Sequence, residues 1–269
     1  MKFTLGEILR SLVVASLVLT SGCLSFLGFD DSFAIMSFNV HHCEGMDKKL
    51  DIKRTAEVIN DHSPRFVALQ EIDKVVKRSK GVDQAFELGK LTGMYSVFSP
   101  AIKLQGGEYG IALLSKDKPL SHTSVSLPGR EPRKLLLVEF EDCYVGTTHL
   151  ALSESNRVAS AKIICDTVKK YNKEKPVFIC GDWNAIRTSS PLNEMRKGLV
   201  VISDENSCTF HASPKAKGPS GTVKDFCIDY IAIDKEHSND WIVHSRNTVI
   251  DNVTSDHRPI IVTVEKKQK

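Results

Sequence analysis

Short apolar runs, separated by polar and turn-forming residues, make up most of this sequence. Runs of this length are typical of β-strands, because a helix needs a longer periodic segment. A strand must bury at least one face, so a chain with many strands has to stack sheets or cover them with helices. The runs predict strands at residues 33–40, 66–69, 95–98, 109–114, 122–127, 134–140, 143–148, 177–180, 226–233, 241–249 and 260–264.

A few segments between these strands have helical features. Their apolar side chains recur every three or four positions, and capping residues stand at their ends. The predicted helices are one that begins after Asp51 and ends at Ser63-Pro64, one at residues 83–91, one at 154–171 and a short one that opens at Ser190-Pro191. No linker or repeat divides the chain, so we predict one α/β domain over residues 31–266, with two packed sheets flanked by helices.

The first residues differ from the rest. Lys2 and Arg10 precede an apolar run at residues 11–20, which is too short for a transmembrane span and suits a signal peptide. Small residues directly before Cys23 are typical of a bacterial lipoprotein cleavage site. We therefore predict a signal peptide at residues 1–22, a lipid on Cys23 and an exported, membrane-anchored lipoprotein in the periplasm or at the cell surface. A plain secretory signal, which would give a secreted protein, and an uncleaved anchor are the alternatives.

Charge and cysteine content exclude some classes of protein. The net charge of +3 is too small for a dedicated nucleic-acid binder, which shows a clear basic excess. The basic clusters at residues 77–80 and 130–134 are interpreted as solvated loops. No cysteines form a C-x-x-C pair, which argues against a zinc knuckle. Cys180, inside an apolar strand, is predicted to be buried, while the sequence leaves open which other thiols an exported protein would oxidise.

Three oxygen-bearing side chains near strand ends suit a hard cation. Asn39 closes the first strand, and its amide oxygen could bind a cation or hydrogen-bond a carboxylate. Glu71 leaves a buried strand, where one carboxylate plus water suits Mg²⁺. Asp256 offers a further carboxylate before the last strand. Each of these residues by itself also fits a turn or a surface position.

The sharpest local pattern is Gly-Asp-Trp-Asn at residues 181–184, directly after a buried strand. Glycine permits an unusual turn there. Asp182 and Asn184 are two residues apart, so both point into one pocket if the backbone is extended. Asp182 could then accept a proton from water, while Asn184 orients that water or a phosphate oxygen. His149, at another strand end, could donate to a phosphate oxygen or cap the next segment.

A buried charge gives the last pair of candidates. Asp229 lies between apolar residues of a strand, where an unpaired carboxylate is costly to bury. It therefore requires a partner, and His257 could be that partner. An Asp–His pair holds the ring oriented and raises its pKa, so that the ring stays charged beside a phosphate.

In chain order these residues read N…QE…H…GDxN…DYI…SDHRP, and residues 109–115 read Tyr-Gly-Ile-Ala-Leu-Leu-Ser. This pattern resembles the endonuclease/exonuclease/phosphatase superfamily, which includes abasic-site endonucleases, DNase I-like nucleases, inositol-phosphate 5-phosphatases and neutral sphingomyelinases. The resemblance runs from residue 37 to residue 259. It implies an α/β fold, a four-layer α/β/β/α sandwich of two packed, mostly antiparallel sheets flanked by helices.

The resemblance also implies the roles of the site residues. Those it assigns to a bound Mg²⁺ or Mn²⁺ are Asn39, Glu71 and Asp256. Those it assigns to catalysis are Asp182 as the base that activates the attacking water, Asn184 as a ligand of that water or of a phosphate oxygen, His149 as a phosphoryl contact, and His257, oriented by Asp229, as a stabiliser of charge on the phosphate. Tyr109 is a candidate substrate contact.

The expected protein is a monomeric, exported, Mg²⁺-dependent phosphoester hydrolase, a phosphodiesterase or phosphatase. A secreted DNase or other endonuclease and a sphingomyelinase-like enzyme are alternatives, as is a binding protein that kept the fold and lost catalysis. Export favours extracellular phosphoesters over DNA repair, so nucleic acid is a possible but not the favoured substrate. Candidate contacts for a phosphorylated substrate are the loop lysines Lys103, Lys215, Lys217 and Lys224.

Overall fold

A computed structural model describes residues 32–212 and 226–268. The predicted signal peptide, Cys23 and the loop lysines Lys215, Lys217 and Lys224 lie outside the described residues. The strands in chain order are β1 (Phe33–Asn39), β2 (Phe66–Lys74), β3 (Tyr95–Leu104), β4 (Gly107–Ser115), β5 (Ser121–Leu127), β6 (Arg133–Glu139), β7 (Tyr144–His149), β8 (Val177–Asp182), β9 (Leu199–Val201), β10 (Asp229–Asp234), β11 (Trp241–Thr248) and β12 (Ile260–Lys266). The α-helices are α1 (Ile52–His62), α2 (Gln84–Thr92), α3 (Glu154–Tyr171) and α4 (Ser190–Met195).

Within the described residues these strands form two six-stranded sheets. One has the order β11-β12-β1-β2-β4-β3, and the other has the order β5-β6-β7-β8-β10-β9. Each sheet contains one parallel pair, β1 with β2 and β7 with β8, among antiparallel pairs. A parallel pair needs a long crossover connection. Helix α1 lies in the first of these connections and α3 in the second.

Alternation of side chains along the strands divides the core into layers. On β1, Ile35 belongs to the cluster between the two sheets, whereas Met36 and Phe38 pack with residues of α1 and α2. On β8, Phe178 lies between the sheets, whereas Ile179 packs with residues of α3 and α4. Successive strand residues point to opposite faces, so each sheet is covered on both sides. The result is the α/β/β/α sandwich that the sequence predicts.

The helix ends follow from the predicted capping residues. The Asp51 side chain accepts a hydrogen bond from the Arg54 N–H at 3.0 Å and caps the start of α1. Asp83 caps α2 in the same way, and Gly93 ends that helix with φ of 68°. These contacts satisfy N–H groups that the first turn of a helix leaves unpaired.

Several strands differ in extent from the prediction, among them β3, which runs on to Leu104, and β10, which begins only at Asp229. Two of the differences have a clear physical reason. β2 continues beyond its predicted end, because the strand absorbs an extra residue in a bulge between Gln70 and Ile72. The bulged residue is Glu71, whose φ is 61°. β9 pairs with β10 over only three residues, which is too short for an apolar pattern to reveal.

The cysteines of the described residues are all unpaired. Cys180 is fully buried, as predicted. The unpaired cysteines are Cys43, Cys143, Cys165, Cys180, Cys208 and Cys227. In the part of the chain that the structure describes, no helix combines the length and apolar character needed to cross a membrane.

Candidate active site

On four central strands, every second side chain faces the space between the two sheets. At one end of the sheets, the last of these inward-facing residues is polar. On β8 the row runs through Cys180, in the core between the sheets, to Asp182. The rows of β1, β7 and β10 end in the same way at Asn39, His149 and Asp229. In the sheet register, Asp182 lies opposite both His149 and Asp229. The alternation that builds the core therefore also brings these groups to one end of the sheets.

Asp182 is the residue on which these groups converge. Its carboxylate is buried and accepts hydrogen bonds from Nδ2 of Asn39 at 3.1 Å and from the backbone N–H of Asn184 at 2.9 Å. The Nε2 atoms of His149 and His257 lie 3.4 and 3.7 Å from its Oδ2. A carboxylate removed from water needs partners of this kind.

The glycine before Asp182 is required by a close backbone approach. Gly181 has φ of 146°, and a Cβ there would lie 1.9 Å from the carbonyl oxygen of Thr148. A side chain would force β7 and β8 apart and displace Asp182. Asn184 also has a left-handed backbone, with φ of 48°, and its amide nitrogen donates to the Leu150 carbonyl at 3.0 Å. Asn184 thereby ties together the loops that follow these two strands.

His257 and Asp229 form a buried ion pair next to Asp182. Nδ1 of His257 donates to Oδ2 of Asp229 at 2.9 Å, which places His257 where the sequence requires a partner for Asp229. Burial opposes charging of the ring, but the Asp229 and Asp182 carboxylates outweigh it and raise the pKa of His257 to about 10. Burial and repulsion by Asp229 raise the pKa of Asp182 to about 7.

This charge arrangement also bears on cation binding. Ligand atoms of Asp182, Asp229 and His257 lie within 4.8 Å of one another, close enough to share one ion. With His257 protonated, its ring is itself the positive charge between the two carboxyl groups. A second cation at the same point would meet electrostatic repulsion.

His149 is held in a neutral form. Nη1 of Arg133 donates to Nδ1 of His149 at 3.5 Å. A guanidinium can only donate, so Nδ1 is the acceptor and the proton sits on Nε2, the nitrogen nearest Asp182. Burial, together with the positive charges of Arg133 and His257, holds the pKa of His149 well below its usual range. The ring therefore offers a neutral N–H donor.

The burial of Arg133 corrects the interpretation of residues 130–134 as a solvated loop. Arg133 is the first residue of β6 and is only 8% exposed. It pairs with Glu131 at 2.7 Å and contacts His149. The sequence shows only a short basic cluster at residues 130–134. Which of these residues turns inward depends on the pairing of β6 with β7, and the sequence does not indicate it.

Glu71 and Asp256 bring carboxylates next to Asn39. Nδ2 of Asn39 donates to Oε1 of Glu71 at 3.1 Å. The Ser255 hydroxyl donates to the Asn39 carbonyl oxygen at 2.7 Å and lies 3.3 Å from Oδ1 of Asp256. Both carboxylate residues are half-buried. Carboxylate oxygens with access to water are the donor set that suits Mg²⁺ or Mn²⁺, so these residues fit the predicted cation.

The orientation of the Asn39 amide is fixed by the backbone. The N–H of His41 donates to Oδ1 of Asn39 at 3.1 Å. Nδ2 is therefore the atom that faces Glu71 and Asp182. Of the two roles that the sequence allows for Asn39, this geometry shows the hydrogen bond to a carboxylate, and metal coordination stays a prediction.

Tyr109 lies at the same end of the sheets. Its ring is 8% exposed, and the Arg78 guanidinium stands 5.3 Å from the ring centre. Burial and the nearby Glu71 charge raise the pKa of the Tyr109 hydroxyl above its ordinary range. The hydroxyl is therefore protonated at neutral pH, and its contact with a substrate stays a prediction.

Comparisons with known proteins agree on the fold. The model of the Endonuclease/Exonuclease/phosphatase family matches residues 36–257 of the chain, whereas no curated protein matches it significantly. An endonuclease/exonuclease/phosphatase from Beutenbergia cavernae is 20% identical, with a TM-score of 0.74 over 88% of this chain and 72% of that one. A mannosyl-6-phosphatase from Bacteroides thetaiotaomicron is 16% identical, with a TM-score of 0.67 over 86% of this chain and 99% of that one. The human Nocturnin catalytic domain is 17% identical, with a TM-score of 0.64 over 89% of this chain and 96% of that one.

Because of its ion pair with Asp229, the imidazole of His257 should stay protonated through the neutral pH range. We expect ¹⁵N NMR to show the His257 ring protonated from pH 6 to pH 8, with titration near pH 10. Because this pKa lies above the value of about 6.5 in the unfolded chain, the pair's stabilisation is complete below pH 6.5 and is lost as the pH rises through about 10. In Asp229→Asn the ring should titrate at a lower pH. A wild-type ring that lost its proton near pH 6.5 would contradict the ion pair.

Proposed function

Because the chain belongs to the endonuclease/exonuclease/phosphatase family, we propose that it is a metal-dependent phosphoester hydrolase in which an activated water attacks phosphorus. Members of this family are hydrolases of phosphoesters. The observation that best supports the proposal is the convergence on Asp182 of a neutral imidazole, a cationic imidazole and an amide from the other sheet. These are the groups that hydrolysis at phosphorus needs: a base, donors for developing charge and a means of orienting both.

Asp182 is the proposed general base. A carboxyl group with a pKa of about 7 holds a proton taken from water better than a solvated carboxylate does. The hydrogen bonds from Asn39 and Asn184 fix the direction of its oxygens. A water molecule that donates a hydrogen bond to Asp182 would then lose a proton to it and be oriented for attack on the phosphorus atom.

The two histidines are the proposed donors to the phosphoryl oxygens. His257 brings a full positive charge that Asp229 keeps in place, and His149 brings an N–H that Arg133 keeps on Nε2. Donors that are already oriented strengthen as negative charge builds in the transition state. In this scheme Asp229 and Arg133 act through the rings that they position.

Glu71 and Asp256 are the proposed ligands of Mg²⁺ or Mn²⁺, with Asn39 beside them. A cation bound there neutralises phosphate charge and stabilises the leaving oxygen. The Asn39 amide links this side to the base, because its nitrogen donates to both Glu71 and Asp182 at 3.1 Å.

A groove beside His149 suggests the substrate class. It has a volume of about 680 Å³, and its lining combines the charged side chains of Arg130, Arg133 and Glu131 with apolar ones such as Ile102 and Leu152. Arg133 joins the groove to the site through its contact with His149. We propose a small phosphoester whose non-phosphate part has both polar and apolar groups and occupies this groove. The similar fold of a mannosyl-6-phosphatase agrees with a small phosphorylated substrate.

The location proposed for this activity is outside the cytoplasm. The apolar run at residues 11–20, followed by Ser-Gly-Cys at 21–23, supports export and attachment of lipid to Cys23. An extracellular enzyme of this kind would release phosphate from, or remodel, phosphoesters that reach the cell surface.

The general-base role predicts a large and selective loss of turnover. Asp182→Asn should lower kcat on aryl phosphate mono- and diesters by about 10²- to 10⁴-fold, because the amide cannot take a proton from water. Circular dichroism and thermal unfolding should show an intact fold, since the variant removes a buried charge. Asp61→Asn, on the exposed face of α1, is the matched control and should keep wild-type turnover. Near-normal turnover of Asp182→Asn would remove Asp182 as the base.

The cation role predicts reversible loss with chelator. EDTA should abolish hydrolysis by the wild-type chain, and Mg²⁺ or Mn²⁺ should restore it. Hydrolysis that continued at full rate in EDTA, after exhaustive dialysis, would argue against metal-assisted chemistry at Glu71 and Asp256.

Lipidation can be tested by metabolic labelling with an alkyne fatty acid in a bacterial host. We expect label on the wild-type chain and on Cys208→Ala, and none on Cys23→Ala. Cys208 is a suitable control because it is the most exposed of the described cysteines, the others being buried. Equal labelling of the Cys23→Ala variant would show that the lipid is elsewhere, and an unlabelled wild type would exclude the anchor.

A further inference from the structure

Two adjacent histidines follow β1 in an unusual left-handed turn. His41, His42 and Cys43 have φ of 45°, 45° and 58°, a backbone conformation that residues other than glycine rarely adopt. The turn is held in place by its surroundings. The His41 N–H donates to Oδ1 of Asn39 at 3.1 Å, and the Gln84 amide donates to the His42 carbonyl at 2.6 Å. Backbone strain that neighbours maintain in this way is concentrated at functional positions.

The turn directs both imidazoles towards Glu71. One ligand atom from each of His41, His42 and Glu71 lies within 4.8 Å of the other two. The two rings meet edge to face, with their centroids 4.5 Å apart. Glu71 has a left-handed backbone as well, with φ of 61°. Residues with a left-handed backbone, two in the turn after β1 and one in the bulge of β2, thus converge on one small space.

The His41 ring has a lone pair available. Its Nδ1 lies 3.1 Å from the carbonyl oxygen of Glu44. A carbonyl can only accept, so Nδ1 carries the proton and Nε2 keeps its lone pair. A backbone carbonyl on the far nitrogen is the partner that metal-binding histidines usually have, because it fixes both the tautomer and the ring direction.

The His42 ring is buried with a nitrogen unsatisfied. The residue is 8% exposed, and its Nδ1 has no hydrogen-bond partner among the described residues. A buried polar atom without a partner is rare in folded proteins and requires an explanation.

We propose that His41, His42 and Glu71 form a second cation site, which takes a divalent transition metal of the Zn²⁺ or Co²⁺ class. Two imidazole nitrogens and one carboxylate suit such ions, whereas Mg²⁺ prefers oxygen ligands. Glu71 has two oxygens, and Asn39 donates to Oε1, so one carboxylate can serve this site and the candidate Mg²⁺ site together. The inference concerns binding and does not rest on the proposed hydrolysis.

The test is a Co²⁺ titration of the full chain after removal of metal, in the presence of excess Mg²⁺ to fill oxygen-ligand sites. Visible absorption and calorimetry should report one bound Co²⁺, which Zn²⁺ displaces. His41→Asn and His42→Asn should each weaken Co²⁺ binding by at least about 100-fold, since loss of a ligand exceeds the 10- to 100-fold effect of losing a ligand's partner. Asparagine accepts a left-handed backbone, so these variants should fold.

The matched control is His122→Asn, an exposed histidine on β5, which should bind Co²⁺ like wild type. His41→Gly provides a second variant that relieves the turn and should show the same loss of binding. The inference is wrong if wild type binds no Co²⁺ with Mg²⁺ present, or if both histidine variants bind it normally.

Asp256→Asn separates this inference from the proposed function. It should lose Mg²⁺-dependent hydrolysis while it keeps Co²⁺ binding, because Asp256 belongs to the proposed Mg²⁺ ligands alone. If Asp256→Asn abolished Co²⁺ binding, the two sites would be one, and the second site would be refuted. A wild-type chain that bound Co²⁺ but hydrolysed no phosphoester would refute only the proposed function.

Discussion

Burial of the Asp182 carboxylate is the constraint on which this end of the molecule depends. An unpaired carboxylate in the interior is too costly to retain, and its partners come from both sheets. Asn39 of β1 donates across the interface between the sheets at 3.1 Å, while His149 of β7 lies beside Asp182 in its own sheet. A shift of one sheet over the other would break these contacts, so the packing of the sandwich and the assembly of the site are one requirement.

A second polar contact joins the two sheets deeper in the core. The Gln70 amide on β2 donates to the Thr147 hydroxyl on β7 at 2.9 Å. Each of these strands belongs to the parallel pair of its sheet, so the two parallel pairs face each other at the centre of the sandwich. Buried polar groups that are paired across an interface favour one register over its alternatives. This contact helps to fix the relative position of the cation side, with Glu71, and the imidazole side, with His149.

Some of the site could be predicted from the sequence because it follows from local chemistry. The Gly-Asp-Trp-Asn pattern directly after an apolar run singles out Asp182, and the cost of burying Asp229 requires a partner such as His257. Other features depend on tertiary register and have no local signal. The bulge at Glu71, the inward turn of Arg133 and the direction of the Asn39 amide are of this kind. His41 and His42 likewise carry no signal in the sequence, because only the left-handed backbone of their turn brings the two rings close to Glu71.

In the proposed mechanism, Asp182 faces the phosphorus atom while Glu71 and Asp256 hold a cation beside it. Both positions would be visible in a crystal structure with Mn²⁺ and a slowly hydrolysed phosphorothioate ester, with the metal located by anomalous scattering. We expect a Mn²⁺ peak at the Glu71 and Asp256 oxygens and a phosphorus atom separated from Asp182 by the width of one water. Phosphorus bound elsewhere, with no Mn²⁺ at these carboxylates, would contradict this mechanism.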